Sequence, residues 1–159
     1  MKRRSAASSE PPELVCFIDR SLGKHKVADA LRSAGALVEI HDNHFPADAK
    51  DADWLPVIGA KRWVLLTKDD RIRYREHERE ALLNSGVRAF VLTNRNLSGD
   101  EMATLFVQSL PKMRRITGRQ RGAFIAAVTW TGVRVVVEGS DSLKGTPEDA
   151  PSDTSRKST

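Results

Sequence analysis

The sequence is poor in the features that would commit it to several common chemistries. It has one cysteine, Cys16, so an intrachain disulfide is excluded and a reducing, cytosolic setting is expected. Cys16 lies within the apolar run Leu14-Val15-Cys16-Phe17-Ile18 and reads as a buried thiol acting as a small hydrophobe. With that single cysteine, and only His41 and His44 at a weak ligand spacing, a zinc site is not expected. No apolar run approaches the length of about 20 residues needed to span a bilayer. The basic start Met1-Lys2-Arg3-Arg4 is followed by Ser, Glu and Pro rather than an apolar stretch, so a secretory signal is not expected. There is no internal repeat, no Gly-rich phosphate loop and no nucleophile-elbow signature behind a Ser-His-Asp triad.

What is present is the material of an ordinary globular domain. A length of 159 residues, with 40% hydrophobic and 30% charged side chains, suits one domain with ragged ends. Residues 1–12 are polar and end in Pro11-Pro12. They read as a disordered leader. Residues 139–159, rich in Ser, Thr, Asp, Lys and Pro, read as a disordered tail that buries too little to offset its ordering entropy. The folded domain is expected over 13–138. A net charge of +5 leans modestly toward polyanions such as RNA.

Within that span, apolar runs alternate with helical patterns. Leu14 to Ile18 predicts a buried strand. Val27, Ala30, Leu31 and Ala34 recur at helical spacing over Lys24 to Ala34, closed by Gly35. Leu37 to Ile40 predicts a second strand and His41 to Lys50 a polar loop. Asp51 to Gly59 predicts a short helix opened by acids, Trp63 to Thr67 a third strand, Arg75 to Ser85 a charged helix, and Val87 to Leu92 a fourth strand. Ser98-Gly99-Asp100-Glu101 has the form of a capping box. It opens a helix with Met102, Leu105, Phe106 and Leu110 on one face. Phe124 to Val137 is strand-rich, with a turn at Thr131-Gly132. Strands separated by helical crossovers predict a parallel sheet with helices on both faces.

In such sheets the ligand site lies beyond the carboxyl ends of the strands. Strand one ends at Asp19, strand two runs into His41-Asp42, strand three into Thr67-Lys68-Asp69-Asp70, and strand four into Thr93-Asn94. Asp48, Asp51 and Asp53 lie on the connection that reaches the same edge. A single aspartate at a strand end serves more often as a turn or helix cap than as a ligand. Several together repel one another unless a cation joins them, and Mg²⁺ or Mn²⁺ suits such a hard oxygen set. A metal held that way activates water and stabilises charge on a phosphoryl group. Arg20, Lys24, Lys61, Arg62, Lys68, Arg71, Arg73 and Arg75 are expected around this edge. Lys112, Arg114, Arg115, Arg119 and Arg121 form a second basic run near the last helix. Basic groups of this kind hold phosphates by charge and counterion release, though a solvated helix face is the usual fate of a charge run.

The segments Phe17-Ile18-Asp19-Arg20-Ser21-Leu22-Gly23, Val38 to Phe45, Asp51-Ala52-Asp53-Trp54-Leu55 and Trp63 to Arg73 together resemble the PIN-like domain of VapC-type toxins. Gly86 to Leu92 and the helix start Asn96-Leu97-Ser98 continue the resemblance, which covers roughly Leu14 to Arg115. It implies a three-layer α/β/α fold with a central, mostly parallel sheet. It also implies a Mg²⁺-dependent ribonuclease of the bacterial cytosol, blocked by a cognate antitoxin and often paired as a homodimer. By position, the resemblance puts the catalytic acids at Asp19, Asp51 and Asp69, with Asp53 competing for the middle place. Where many related domains carry a further acid, this chain has Arg71, and Asp70 sits one position early. The metal set implied is therefore drawn from Asp19, Asp51, Asp53, Asp69 and Asp70. Arg20, Lys68, Arg71 and Arg73 are the expected RNA contacts. Two other classes compete: a degenerate PIN-like module that binds RNA or a protein without cutting, and a phospho-acceptor domain of receiver type. The latter needs an acidic pair after strand one, where Arg20 and Ser21 follow Asp19.

Overall fold

A computed structural model of the protein describes residues 14–23 and 25–139. The expected leader, Lys24 and all of the expected tail except Gly139 lie outside the described residues. The chain runs β1 (Val15–Ile18), α1 (Lys26–Ser33), β2 (Leu37–Ile40), α2 (Asp51–Ala60), β3 (Val64–Thr67), α3 (Arg71–Tyr74), α4 (Glu76–Asn84), β4 (Arg88–Leu92), α5 (Gly99–Arg119), β5 (Phe124–Thr129) and β6 (Gly132–Glu138). The strands form one sheet in the order β2-β1-β3-β4-β5-β6. All pairings are parallel except the last, in which β6 folds back antiparallel on β5.

The central strands are apolar along their length because both faces of the sheet are covered. Every residue of β3 and β4 is buried. One apolar cluster joins the sheet to α1 and α5 through Val27, Leu31, Leu105, Phe106 and Leu110. A second lies on the opposite face, where α2, α3 and α4 contribute Trp54, Leu55, Ile58, Ile72 and Leu82. The result is the three-layer α/β/α arrangement expected from the alternation of runs. Cys16 is fully buried, and burial pushes its thiol up to about 12. Among the described residues no helix is long and apolar enough to cross a membrane.

Some local expectations shift. The charged helix expected from Arg75 is preceded by a separate one-turn helix, α3, because Arg75 adopts extended backbone (φ −89°, ψ 118°) between the two. Ile72 of α3 is buried in the second cluster, an anchor that a four-residue pattern does not advertise. The segment expected as a polar loop after β2 opens with a 3₁₀ turn, His41–Asn43. It is held by aromatic contacts: Phe17 lies 5.9 Å from His41, 6.0 Å from Phe45 and 5.6 Å from Trp54, centre to centre. Both histidines are thus part of the packing around Phe17, and His44 Nε2 lies 2.6 Å from Glu39 Oε1. The seating of α2 depends on Gly59. A Cβ there would stand 1.9 Å from the Ser85 carbonyl oxygen, so only glycine lets α2 lie this close to the end of α4.

Candidate active site

Parallel pairing brings the carboxyl ends of β1 and β3 side by side, with Ile18 opposite Leu66. Asp19 continues the ladder for one more residue, its N–H donating to Leu66 O at 3.1 Å. Its side chain then caps the 3₁₀ turn Arg20–Leu22. Asp19 Oδ2 accepts from Ser21 Oγ at 2.7 Å, from Thr67 Oγ1 at 2.8 Å and from Ser21 N at 3.4 Å. Each hydroxyl has one proton, and both protons are directed to Asp19. The 3.2 Å separation of the two hydroxyl oxygens is therefore proximity rather than a further bond. As acceptors these hydroxyls hold the next turn: Lys68 N donates to Ser21 Oγ at 3.2 Å and Asp69 N to Thr67 Oγ1 at 2.9 Å. The network ties the β1 and β3 termini into one rigid edge, and Thr67, 2% exposed, is its buried centre.

Asp69 turns onto Arg71. Its Oδ1 accepts from Arg71 Nε at 2.8 Å and from Arg71 N at 3.1 Å, and its Oδ2 accepts from Nη2 at 2.7 Å. This fork geometry holds the Asp69 carboxyl below the usual carboxylate range. Asp51, the first residue of α2, behaves oppositely. Its carboxyl is held above the usual range by desolvation first, and then by the negative charges of Asp19, Glu78 and Asp69, with Arg71 opposing. Asp51 thus experiences the acids of two neighbouring strand ends and of α4 at once.

The remaining expected ligands point elsewhere. Asp53 Oδ2 accepts from Lys50 N at 3.3 Å and serves as an N-terminal cap of α2. Asp70 pairs with Arg73 Nη1 at 3.3 Å and lines a separate cavity of about 320 Å³ together with Lys68, Thr93, Asn94 and Asn96. The five aspartates therefore do not form one cluster. Among the described residues no group of three or more His, Cys, Asp or Glu side chains stands close enough together to hold a metal ion. The physical reason is visible in the partners: Asp69 is drawn to Arg71, and Asp53 and Asp70 are used locally. In donor type, Asp19, Asp51 and Asp69 suit a hard divalent cation, and the Asp51 carboxyl, raised first by desolvation, is raised further by the neighbouring acids.

Of the expected RNA contacts, Arg20 is joined to Asp42 at 3.1 Å and to Ala47 O at 3.3 Å. Arg73 is shared between Asp70 and the Tyr74 ring, 4.9 Å away. Lys68 is exposed at the rim of the cavity. Lys61 and Arg62 do not belong to this edge: they immediately precede Trp63 and β3 and lie at the opposite, amino-terminal end of the sheet. The sequence reading missed Ser21 and Thr67 as organisers of Asp19, and missed Glu78. An S or T facing a strand-end aspartate is a usable signal for the first two. Nothing in the α4 pattern separates Glu78 from Glu76 or Glu80.

A parallel sheet flanked by helices, with acids gathered at the carboxyl ends of β1 and β3 and at the start of α2, is the arrangement of PIN-like domains. The chain belongs to that family: the PIN-like domain model matches residues 14–94. It is also similar to VapC45 of Mycobacterium tuberculosis (strain H37Rv), a candidate ribonuclease by its name. Identity is 29% over 116 residues, covering 70% of this chain and 83% of the relative. No solved structure gives a significant match.

Proposed function

We propose that this protein is a divalent-cation-dependent endoribonuclease and the toxin of a toxin–antitoxin pair. The observation that carries the reading is geometric: Asp19 and Asp69 follow the adjacent strand ends of β1 and β3, and Asp51 opens α2 close enough that, after desolvation, the charges of Asp19, Glu78 and Asp69 raise its carboxyl. An acidic edge left short of positive charge is what a metal-dependent nuclease requires before its cation binds. Kinship to a family that includes VapC-type ribonucleases supports the same class.

Asp19, Asp51 and Asp69 would hold Mg²⁺ or Mn²⁺, which when bound supplies charge neutralisation and an acidified water. The chain's own residues have distinct tasks. Ser21 and Thr67 fix Asp19 in one rotamer, leaving Oδ1 directed away from their hydrogen bonds. Asp69 has to leave Arg71 before it can serve a cation, and the freed guanidinium then becomes available to a phosphate. Lys68, exposed beside Asp69, contributes a further phosphate contact, while Arg20 and Arg73 brace Asp42 and Asp70 and reach RNA only by exchanging those partners. The reading sites the protein in the cytosol. It also includes an antitoxin that covers this edge and pairing of two copies of the chain.

The test is RNA cleavage by protein free of contaminating nuclease, with Mg²⁺ or Mn²⁺. Asp19→Asn is expected to lower the rate at least ~100-fold. Cleavage unchanged in that variant, or absent with every metal tried, removes the assignment. One observation favours a second reading, a PIN-like module that binds RNA or a protein without cutting: Arg71 already supplies Asp69 with a bidentate cation. Calorimetry with Mn²⁺ separates the two, since absence of binding favours the module.

A further inference from the structure

The amino-terminal edge of the sheet carries the reverse problem. Arg62 precedes β3, Arg88 opens β4 and Arg121 precedes β5. Val64, Arg88 and Phe124 stand in register across these three adjacent strands. The parallel pairing therefore stacks the three arginines along one edge. They are also linked: Arg88 Nη2 donates to Arg62 O at 2.9 Å, and Arg62 Nη2 donates to Arg121 O at 2.6 Å. Arg88 Nη1 reaches Thr117 O, near the end of α5, at 3.5 Å. Every one of these acceptors is a backbone carbonyl. Carbonyls orient a guanidinium but cancel no formal charge, and among the described residues no carboxylate lies within ion-pair distance of Arg62, Arg88 or Arg121.

Arg88 is 8% exposed, and its Nε is buried with no hydrogen-bond partner. A buried, unpartnered donor is rare enough to need a cause. Desolvation first, and then the like charges of Arg62 and Arg121, push the Arg88 guanidinium down to about 10. Arg62 and Arg121 are exposed and present their charges to solvent.

We infer that Arg62, Arg88 and Arg121 form a phosphate-binding site on the opposite end of the sheet from the acidic edge. The ligand is a phosphate group, either free or within an RNA backbone. Arg62 and Arg121 hold its oxygens, and Arg88, whose Nε is buried out of a ligand's reach, supplies the field behind them. Guanidinium forks match phosphate geometry and remain charged at all physiological pH. The inference does not depend on the nuclease reading, because binding here needs neither a divalent cation nor cleavage.

The experiment uses the full chain in a metal chelator. One arm titrates inorganic phosphate and follows the Arg88 Nε–H signal by NMR together with the melting temperature. The other titrates a short single-stranded RNA and follows anisotropy at several salt concentrations. Arg121 donates to no described residue through its side chain, so Arg121→Gln leaves the internal hydrogen bonds in place. Arg62→Gln and Arg121→Gln are each expected to weaken binding about threefold, and to reduce the salt slope for RNA by ~0.7, the loss of one phosphate contact. Arg134→Gln, the same charge change at an exposed position of β6, is the control and is expected to leave both unchanged. A response to phosphate alone assigns a small anion; a response only to RNA assigns the backbone. No movement of the Arg88 signal with phosphate together with RNA anisotropy unchanged in Arg62→Gln and Arg121→Gln, or an equal loss in Arg134→Gln, overturns the site.

Discussion

At the carboxyl edge of the sheet, the acids are met by side-chain partners, some next to them in the chain and one, Thr67, across from the neighbouring strand. Asp69 takes Arg71, Asp70 takes Arg73, and Asp19 takes the hydroxyls of Ser21 and Thr67. At the amino edge, Arg62 and Arg88 find only carbonyl oxygens, and the Arg121 side chain donates to no described residue. The acidic edge is thus locally compensated except at Asp51, whereas the basic edge is compensated by dipoles alone. An external anion therefore has more to offer the basic edge than an external cation has to offer the acidic one. At the acidic edge the cation must displace Arg71; at the basic edge, among the described residues, the anion has no ion pair to break.

That comparison can be broken by substitution, and the largest effect is expected at Thr67. Thr67→Val removes the donor to Asp19 and the acceptor for Asp69 N within a buried site, and should cost about 2 kcal/mol in denaturant unfolding. Its counterpart near the basic edge, Thr117→Val, loses only a bond to Arg114 O three residues back and should cost at most about 0.5 kcal/mol. Equal costs would mean that the acidic edge is no more tightly built than the other. Next in size, Arg71→Met should tighten Mn²⁺ binding about fivefold by calorimetry, because Asp69 loses its competing cation. Arg62→Gln should leave Mn²⁺ binding unchanged. Weaker binding in Arg71→Met would show that Arg71 organises the acids rather than blocking them.

The smallest effect is a pH dependence at Asp51. Its folded carboxyl is raised above the unfolded value, so the native state holds this proton more tightly than the unfolded chain does. The group favours folding while protonated, and that advantage is lost as pH rises through the carboxylate range. Asp51→Asn, measured with a chelator present, should therefore melt slightly higher than the parent at pH 7. The residue is exposed, so solvent screening keeps the gain below about 1 kcal/mol. Near pH ~3, below the ordinary carboxylate range, the two should coincide. A variant less stable at pH 7 would mean that Asp51 is compensated in the fold after all.

The alternation of apolar runs and amphipathic spacing was enough to place β1 through β5, the crossovers between them and the parallel sheet. Strand-end logic was enough to bring Asp19 and Asp69 to one edge, because an apolar strand closed by an aspartate has few other readings. The segment Asp69 to Tyr74 escaped it, since a one-turn helix carries too few residues for a period to register. The choice between Asp51 and Asp53 also escaped it. Both acids suit the first turn of a helix, yet positions two apart project about 200° from one another.

The layer order and the acids that end the apolar strands were legible from local spacing alone, and the family from the resemblance of its short motifs. Tertiary structure alone decided which of those acids feel one another. It brought Glu78 from α4 to Asp51, turned Asp53 toward the Lys50 N–H, and moved Arg62 from the acidic edge to the basic one. It also stacked Arg62, Arg88 and Arg121, which are far apart in the chain, through the register of three parallel strands. Charge couples through space, and no one-dimensional spacing reports a distance created by crossovers.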